Sequence, residues 1–214
     1  MRKQSIISII NPDSKFSPKE KKLLQKLNTS AKVQDFLNKL RFNFEKNGET
    51  LKSPLFSLRQ KNAHCIEGAL LGAYILSEHG FKPYLMHLKA IKGDYDHVIV
   101  PFKVGKFWGA LSKTNHAVLR YREPIYKNIR ELALSYFHEY FLDDGRKTLR
   151  QYSKLLNLNT FEKDWPTMKG NLWGIDQELD KIKHYDIVSG KYIKNLRKAD
   201  KIEIKAGKIV EFEK

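Results

Sequence analysis

The sequence predicts an α+β fold in which several helices cover an antiparallel sheet. Apolar residues recur at helical spacing before residue 80, whereas β-rich segments separated by glycine turns follow between residues 82 and 111. The chain has 214 residues, of which 41% are hydrophobic, so it can bury a substantial core without a disulfide or a metal. We therefore expect a single domain over residues 1–214.

Two helices are predicted near the start of the chain. The sequence Ser17-Pro18-Lys19-Glu20 has the form of a capping box with proline in the first turn, so a short helix should run to about Leu27. A second helix should begin at Thr29 and end at Asn47-Gly48. Its apolar residues recur at helical spacing: Val33, Phe36, Leu37, Leu40 and Phe44. The segment 49–62 is predicted to be an irregular connection.

The longest apolar stretch, from Ile66 to Leu76, predicts a buried helix that begins near Cys65 and ends before Gly80. Small residues such as Gly68 and Gly72 would let a neighbouring element approach this helix closely. The stretch falls well short of the roughly 20 apolar residues that a membrane-spanning helix requires. We therefore expect no membrane span.

The second half of the chain is predicted to begin with an antiparallel meander. Its three strands should lie at residues 82–91, 97–102 and 106–111, with turns at Lys92-Gly93-Asp94 and Gly105. A helix is then expected over residues 124–141, because apolar residues recur there at helical spacing. Two β-rich segments around Ala206-Gly207 predict a C-terminal hairpin.

The net charge of +16 should attract polyanions such as nucleic acid, an anionic membrane face or acidic protein segments. The lysines are scattered through every segment without a basic tract, so nucleic acid is an alternative partner that the pattern does not favour. The apolar run at residues 5–10 is too short for a signal peptide and is followed by Asn11-Pro12-Asp13. A cytoplasmic protein is therefore expected.

The single cysteine, Cys65, rules out an internal disulfide and the paired-cysteine metal and redox motifs. It lies where the buried helix should begin, and the positive end of a helix favours a thiolate. His97, at the start of the second predicted strand, could face it as a base. The alternative is a small buried cysteine and a histidine that merely ends a strand. The histidines show no paired metal-ligand spacing, so neither a metal nor a cofactor is expected.

The order and spacing of four short segments resemble the transglutaminase-like superfamily, which has a papain-like cysteine protease fold. The segments are His64–Ala69, Gly80–Pro83, Asp96–Val100 and Gly105–Leu111, and the resemblance covers about residues 31–126. It implies a nucleophile helix packed on an antiparallel sheet, with residues from about 127 to 214 as a C-terminal elaboration. It also implies that Cys65 is the nucleophile and His97 the base of a Cys-His dyad.

Further site residues follow from the same resemblance. The third catalytic residue of the family is usually an aspartate on the strand after the histidine, and this chain has Ser112 there. Either Ser112 or Asn115 could hold the imidazole, because a hydroxyl or an amide can hydrogen bond to it. Gln60, shortly before Cys65, is a candidate oxyanion donor, and a solvated loop glutamine is the alternative.

An arginine- and tyrosine-rich stretch follows the resembled core. Together with Trp108, its residues Arg120, Arg122 and Tyr126 are candidates for substrate binding, and a structural network is the alternative role.

The function that the resemblance implies is cysteine-dependent acyl transfer. The expected reaction is hydrolysis of an amide in a peptide or protein substrate, including an isopeptide. The alternative is a catalytically inactive binding module whose basic surface binds nucleic acid or an acidic partner.

Overall fold

The N-terminal helices begin where the sequence supplies caps. In the computed structural model, which describes residues 15–213, α1 spans Pro18–Lys26 and α2 spans Ser30–Lys39. The Ser17 hydroxyl accepts a hydrogen bond from the Glu20 N–H, and the Glu20 carboxylate accepts one from the Ser17 N–H. The predicted capping box is thus confirmed. The sequence interpretation of the signal-peptide region concerns residues outside the described range.

The second helix ends earlier than predicted. After α2, residues Arg41–Phe42 form strand β1, which pairs in parallel with strand β2 at Asn62–Ala63. The prediction that the helix continues to Asn47-Gly48 is wrong, because the backbone of Arg41–Phe42 bonds to another strand instead of to the preceding turn. Between these strands, the segment expected to be irregular contains helix α3, Pro54–Gln60, with proline in its first turn.

The predicted buried helix is confirmed as α4, Cys65–Ser77, and it is followed by Gly80 in the left-handed region at φ 84°. It packs on the central strands of the sheet through small residues. A Cβ atom on Gly68 would lie 2.4 Å from Cβ of Lys113, and one on Gly72 would lie 3.0 Å from Cδ1 of Leu111. These two glycines therefore set the close approach of α4 to the sheet.

The predicted meander forms the centre of an antiparallel sheet, which confirms the α+β class. Its seven strands are β3 (Tyr84–Ala90), β4 (His97–Val104), β5 (Phe107–Ser112), β6 (Arg122–Tyr126), β7 (Leu149–Ser153), β8 (Leu156–Asn157) and β9 (His184–Asp186). The spatial order is β6-β5-β4-β3-β7-β9, and β8 pairs with β3. Side chains alternate between two cores, so Val100 packs on the α4 side and Ile99 on the other.

The C-terminal half differs most from the sequence prediction. The helix expected over residues 124–141 is replaced by β6, by helix α5 (Ile129–Leu134) and by a short 3-10 helix, because residues 122–126 pair with β5. Helix α6 spans Trp173–Lys181. The predicted hairpin is wrong: Lys201–Gly207 form helix α7, which begins with a capping box between Asp200 and Glu203. Across residues 15–213, no helix has the length and apolar character needed to cross a membrane.

Candidate active site

The start of α4 and the start of β4 meet at one cavity of about 890 Å³. Cys65 and His97 both line it, together with residues from the loops around 113–119 and 139–144. The His97 side chain is buried, whereas Cys65 retains partial exposure. The structure thus brings the two predicted catalytic residues to a concave site whose size suits a ligand or a short peptide segment.

Two histidines, His64 and His97, line the same cavity as the Cys65 thiol. Burial by itself raises the pKa of the thiol, but hydrogen bonding from His64 and His97 and their charges outweigh it and lower the pKa from 9.0 to about 5. Cys65 is also the first residue of α4, where the positive end of the helix favours an anion. A pKa this low favours the thiolate at neutral pH, and the thiolate is the reactive form of the side chain.

The hydroxyl of Ser112 fixes the tautomer of His97. Nε2 of His97 lies 2.7 Å from Oγ of Ser112, and the Ser112 hydroxyl donates its own hydrogen to the carbonyl oxygen of Leu119. Because that hydrogen is already used, Oγ must accept at His97, so Nε2 carries a proton. Nδ1 is then the ring nitrogen available to Cys65.

The segment that holds Ser112 is itself anchored by a carboxylate. Leu119 has a left-handed backbone at φ 61°, which costs energy for a residue with a side chain. Its N–H donates to Oε2 of Glu139 at 2.6 Å, and Nη2 of Arg122 lies 2.7 Å from the same oxygen. Arg122 also packs over the ring of Tyr136, with 4.1 Å between the guanidinium carbon and the ring centroid. Arg122 therefore supports the loop behind His97, in agreement with the structural-network alternative.

Asn115 does not hold the imidazole. Its amide nitrogen donates to the carbonyl oxygen of Phe212 at 2.9 Å, and its amide oxygen accepts from the Phe212 N–H at 2.9 Å. Both polar ends of the side chain are thus paired with the C-terminal segment. Of the two candidates for the third site residue, the structure places Ser112 against His97 and Asn115 elsewhere on the cavity wall.

The remaining predicted site residues lie away from the thiol. Gln60 lines a neighbouring pocket, where its amide oxygen accepts from Nζ of Lys52. Arg120 pairs with Glu211 at 3.1 Å. Trp108 and Tyr126 are paired across strands β5 and β6 and pack against the core on the side of the sheet away from α4. Gln60, Trp108, Arg120, Arg122 and Tyr126 are not among the residues that line the Cys65 cavity.

His64 was not anticipated as a site residue, since the sequence suggested only a surface or core histidine. Its Nε2 lies 2.9 Å from the carbonyl oxygen of Thr50, and 3.5 and 3.6 Å from carboxylate oxygens of Glu45 and Glu67. Burial lowers its pKa, but the neighbouring Cys65, the charge of Glu67 and the bond to Thr50 raise it to about 9. The available signal was its position directly before the cysteine, three residues before a helix-capping glutamate.

Glu67 organises the polar groups beneath the thiol. Its carboxylate is completely buried and accepts from the hydroxyl of Thr50 at 2.8 Å, the N–H of Lys52 at 3.0 Å and the amide of Asn43 at 3.0 Å. Burial raises the pKa of this carboxyl, but the charge of His64 and these hydrogen bonds bring it below the usual 4.5. A buried carboxylate with this many donors stays ionised.

No group of three or more His, Cys, Asp or Glu side chains in residues 15–213 has a geometry that could hold a metal ion. No protein-family model matches the chain, and a search of the curated proteins finds no significant match.

Proposed function

We propose that this protein is a cysteine-dependent acyl-transfer enzyme of transglutaminase-like type that hydrolyses an amide in a peptide or protein, including an isopeptide. The observation that carries the proposal is the position of Cys65 at the start of α4, in one cavity with a His97 ring whose Nε2 is held by Ser112. A nucleophile, a base and a group that orients the base are the minimum set for this chemistry.

The reaction would proceed through a thioester. Sγ of Cys65 attacks the amide carbonyl carbon, and the proton of the thiol resides on Nδ1 of His97. The C–N bond then breaks, and His97 returns that proton to the leaving amine. Water then attacks the thioester carbonyl carbon and gives one proton to His97. The C–S bond breaks, the product leaves as a carboxylic acid, and Cys65 is again a thiolate beside protonated His97.

The oxyanion formed in each step needs donors near the thiol. Gln60 lies outside the cavity, so we assign this role to the backbone N–H of Cys65 in the first turn of α4. The first N–H groups of a helix have no acceptor within the helix and lie at its positive end. Donors of this type stabilise an oxyanion without the cost of reorganising.

The architecture supports a papain-like core over about residues 31–126. The helix that carries the cysteine packs on an antiparallel sheet, and the histidine begins a neighbouring strand, as the resemblance implies. Ser112 replaces the usual aspartate, and Glu139 supplies a carboxylate farther back, through the backbone of Leu119. The imidazole is therefore oriented by a neutral hydroxyl.

The net charge of +16 favours a second function, a catalytically inactive module that binds nucleic acid or an acidic partner. This alternative leaves the low pKa of Cys65 without a use, so we rank it below the enzyme. It predicts tight binding to nucleic acid that weakens steeply with salt, together with an unreactive thiol.

Acylation by p-nitrophenyl acetate tests the proposed chemistry without knowledge of the natural substrate. A burst of p-nitrophenol should accompany transfer of the acetyl group to Cys65, which mass spectrometry of the digested protein would locate. Cys65→Ser is the control for acetylation of the many lysines. His97→Ala should slow both acylation and the subsequent release of acetate, and acetylation of lysines alone would contradict the proposal.

A further inference from the structure

The imidazoles of His64 and His97 line the same cavity as the Cys65 thiol, and their surroundings differ in charge. We propose that His64 is the fixed cationic partner of the Cys65 thiolate, while His97 carries the proton during acyl transfer. This inference rests on the proposed function and assigns a second histidine to the same site. It predicts that the two histidines have separable effects on reactivity.

The contact with Thr50 fixes the orientation of the His64 ring. A carbonyl oxygen can only accept, so the 2.9 Å contact with Thr50 shows that Nε2 of His64 carries a proton. Nδ1 is then the remaining ring nitrogen, and our proposal assigns it to the adjacent Cys65. If Nδ1 also carries a proton, it donates to the thiolate and the ring is an imidazolium.

Two carboxylates lie near the His64 ring. Oε1 of Glu45 and Oε1 of Glu67 lie 3.5 and 3.6 Å from Nε2 of His64. Glu67 is completely buried and its other cationic neighbour is Lys52, whose Nζ lies 3.5 Å away. Two carboxylates on one side of the ring and the thiolate on the other both favour the charged form of His64.

The surroundings of His97 differ from those of His64. Its Nε2 donates to a neutral hydroxyl, which in turn donates to a backbone carbonyl. A ring held by a neutral hydroxyl can exchange a proton at its other nitrogen without breaking an ion pair with a carboxylate, as a general base must. His64, enclosed by Thr50, Glu45 and Glu67, is instead held in one charge state. The two rings are therefore suited to different tasks.

The test is a titration of the thiolate by its ultraviolet absorbance in the wild type, His64→Gln and His97→Gln, with Cys65→Ser as the blank. In His64→Gln the thiol should titrate at least one pH unit higher, and alkylation by iodoacetamide near pH 7 should fall about tenfold or more. Raising the pH above the new midpoint should restore acylation by p-nitrophenyl acetate in His64→Gln. Release of the acetyl group in His97→Gln should stay slow at every pH.

A reciprocal measurement guards against misfolding of the His64 variant. The NMR titration of the His64 ring in Cys65→Ser should move to lower pH than in the wild type, because the ring loses its anionic partner. An unchanged titration of His64 in Cys65→Ser would overturn this inference alone. So would a Cys65 pKa that is low in the wild type and equally low in His64→Gln. A wild-type thiol that titrates like free cysteine would overturn the proposed function as well.

Discussion

Nε2 of His97 donates a hydrogen bond to Oγ of Ser112 at 2.7 Å, and the Ser112 hydroxyl donates to the carbonyl oxygen of Leu119. Ser112 therefore orients the ring without bearing a charge. A neutral partner stabilises an imidazolium less than a carboxylate does. The Cys65 thiolate accordingly needs stabilisation from other charged groups near it, such as His64.

We predict that Ser112→Ala will lower the rate at which p-nitrophenyl acetate acylates Cys65. The substitution leaves the Nε2–H of His97 and the Leu119 carbonyl without their shared partner, which costs about 1–3 kcal/mol, or roughly 5- to 150-fold if it is expressed in the rate. Stopped-flow measurement of the burst gives the value. Asn115→Ala is the matched control, because its amide bonds to Phe212, and it should leave the thiol titration unchanged. The reverse pattern would contradict the assignment of Ser112.

Glu67→Gln should destabilise the fold most at neutral pH. The variant leaves Lys52 and His64 without their buried counter-charge, which typically costs about 3–5 kcal/mol. The pKa of the folded carboxyl lies below its usual 4.5, so its stabilising effect is complete above that value and is lost as the pH falls through the folded pKa. Urea denaturation of both proteins should give a large difference near pH 7 that shrinks in acid. A difference that is independent of pH would argue against an ionised Glu67.

Gly68→Ala should destabilise the protein by about 1–3 kcal/mol, because the new methyl group would lie 2.4 Å from Cβ of the buried Lys113. Gly174→Ala is the matched control, since it lies in helix α6 with no atom within 4 Å of the added carbon. That variant should be neutral or slightly stabilising because alanine favours helix. Thermal denaturation would compare the two. Equal effects at both positions would refute the close approach of α4 to Lys113.

Local signals predicted the elements that place the site. The Ser17 capping box, the apolar run after Cys65 and the glycine turns between strands each depend on a few neighbouring residues, and each was confirmed. The order of helix and meander was enough to place Cys65 and His97 at a common cavity.

Other features depend on contacts that are distant along the chain. Asn115 was a plausible partner for His97 by its distance along the sequence, but its side-chain amide bonds instead to the backbone of Phe212, 97 residues later. The predicted C-terminal hairpin relied on the alternation of Ile202 and Ile204 in its first β-rich segment. In the structure the Asp200 cap begins helix α7 there, and no strand among the described residues pairs with this segment. The position of His64 before Cys65 and Glu67 was a weak signal, since its surroundings also include Glu45 and Thr50 from another segment.

The most direct test of the proposed activity is the rate of alkylation of Cys65 by iodoacetamide as a function of pH. In the wild type the rate should rise with a midpoint near the pKa of about 5 and then stay constant through neutral pH. In His97→Ala the midpoint should move upward and the rate at neutral pH should fall. A wild-type thiol with the pKa of free cysteine, unaffected by His97→Ala, would contradict the enzyme and favour the binding module.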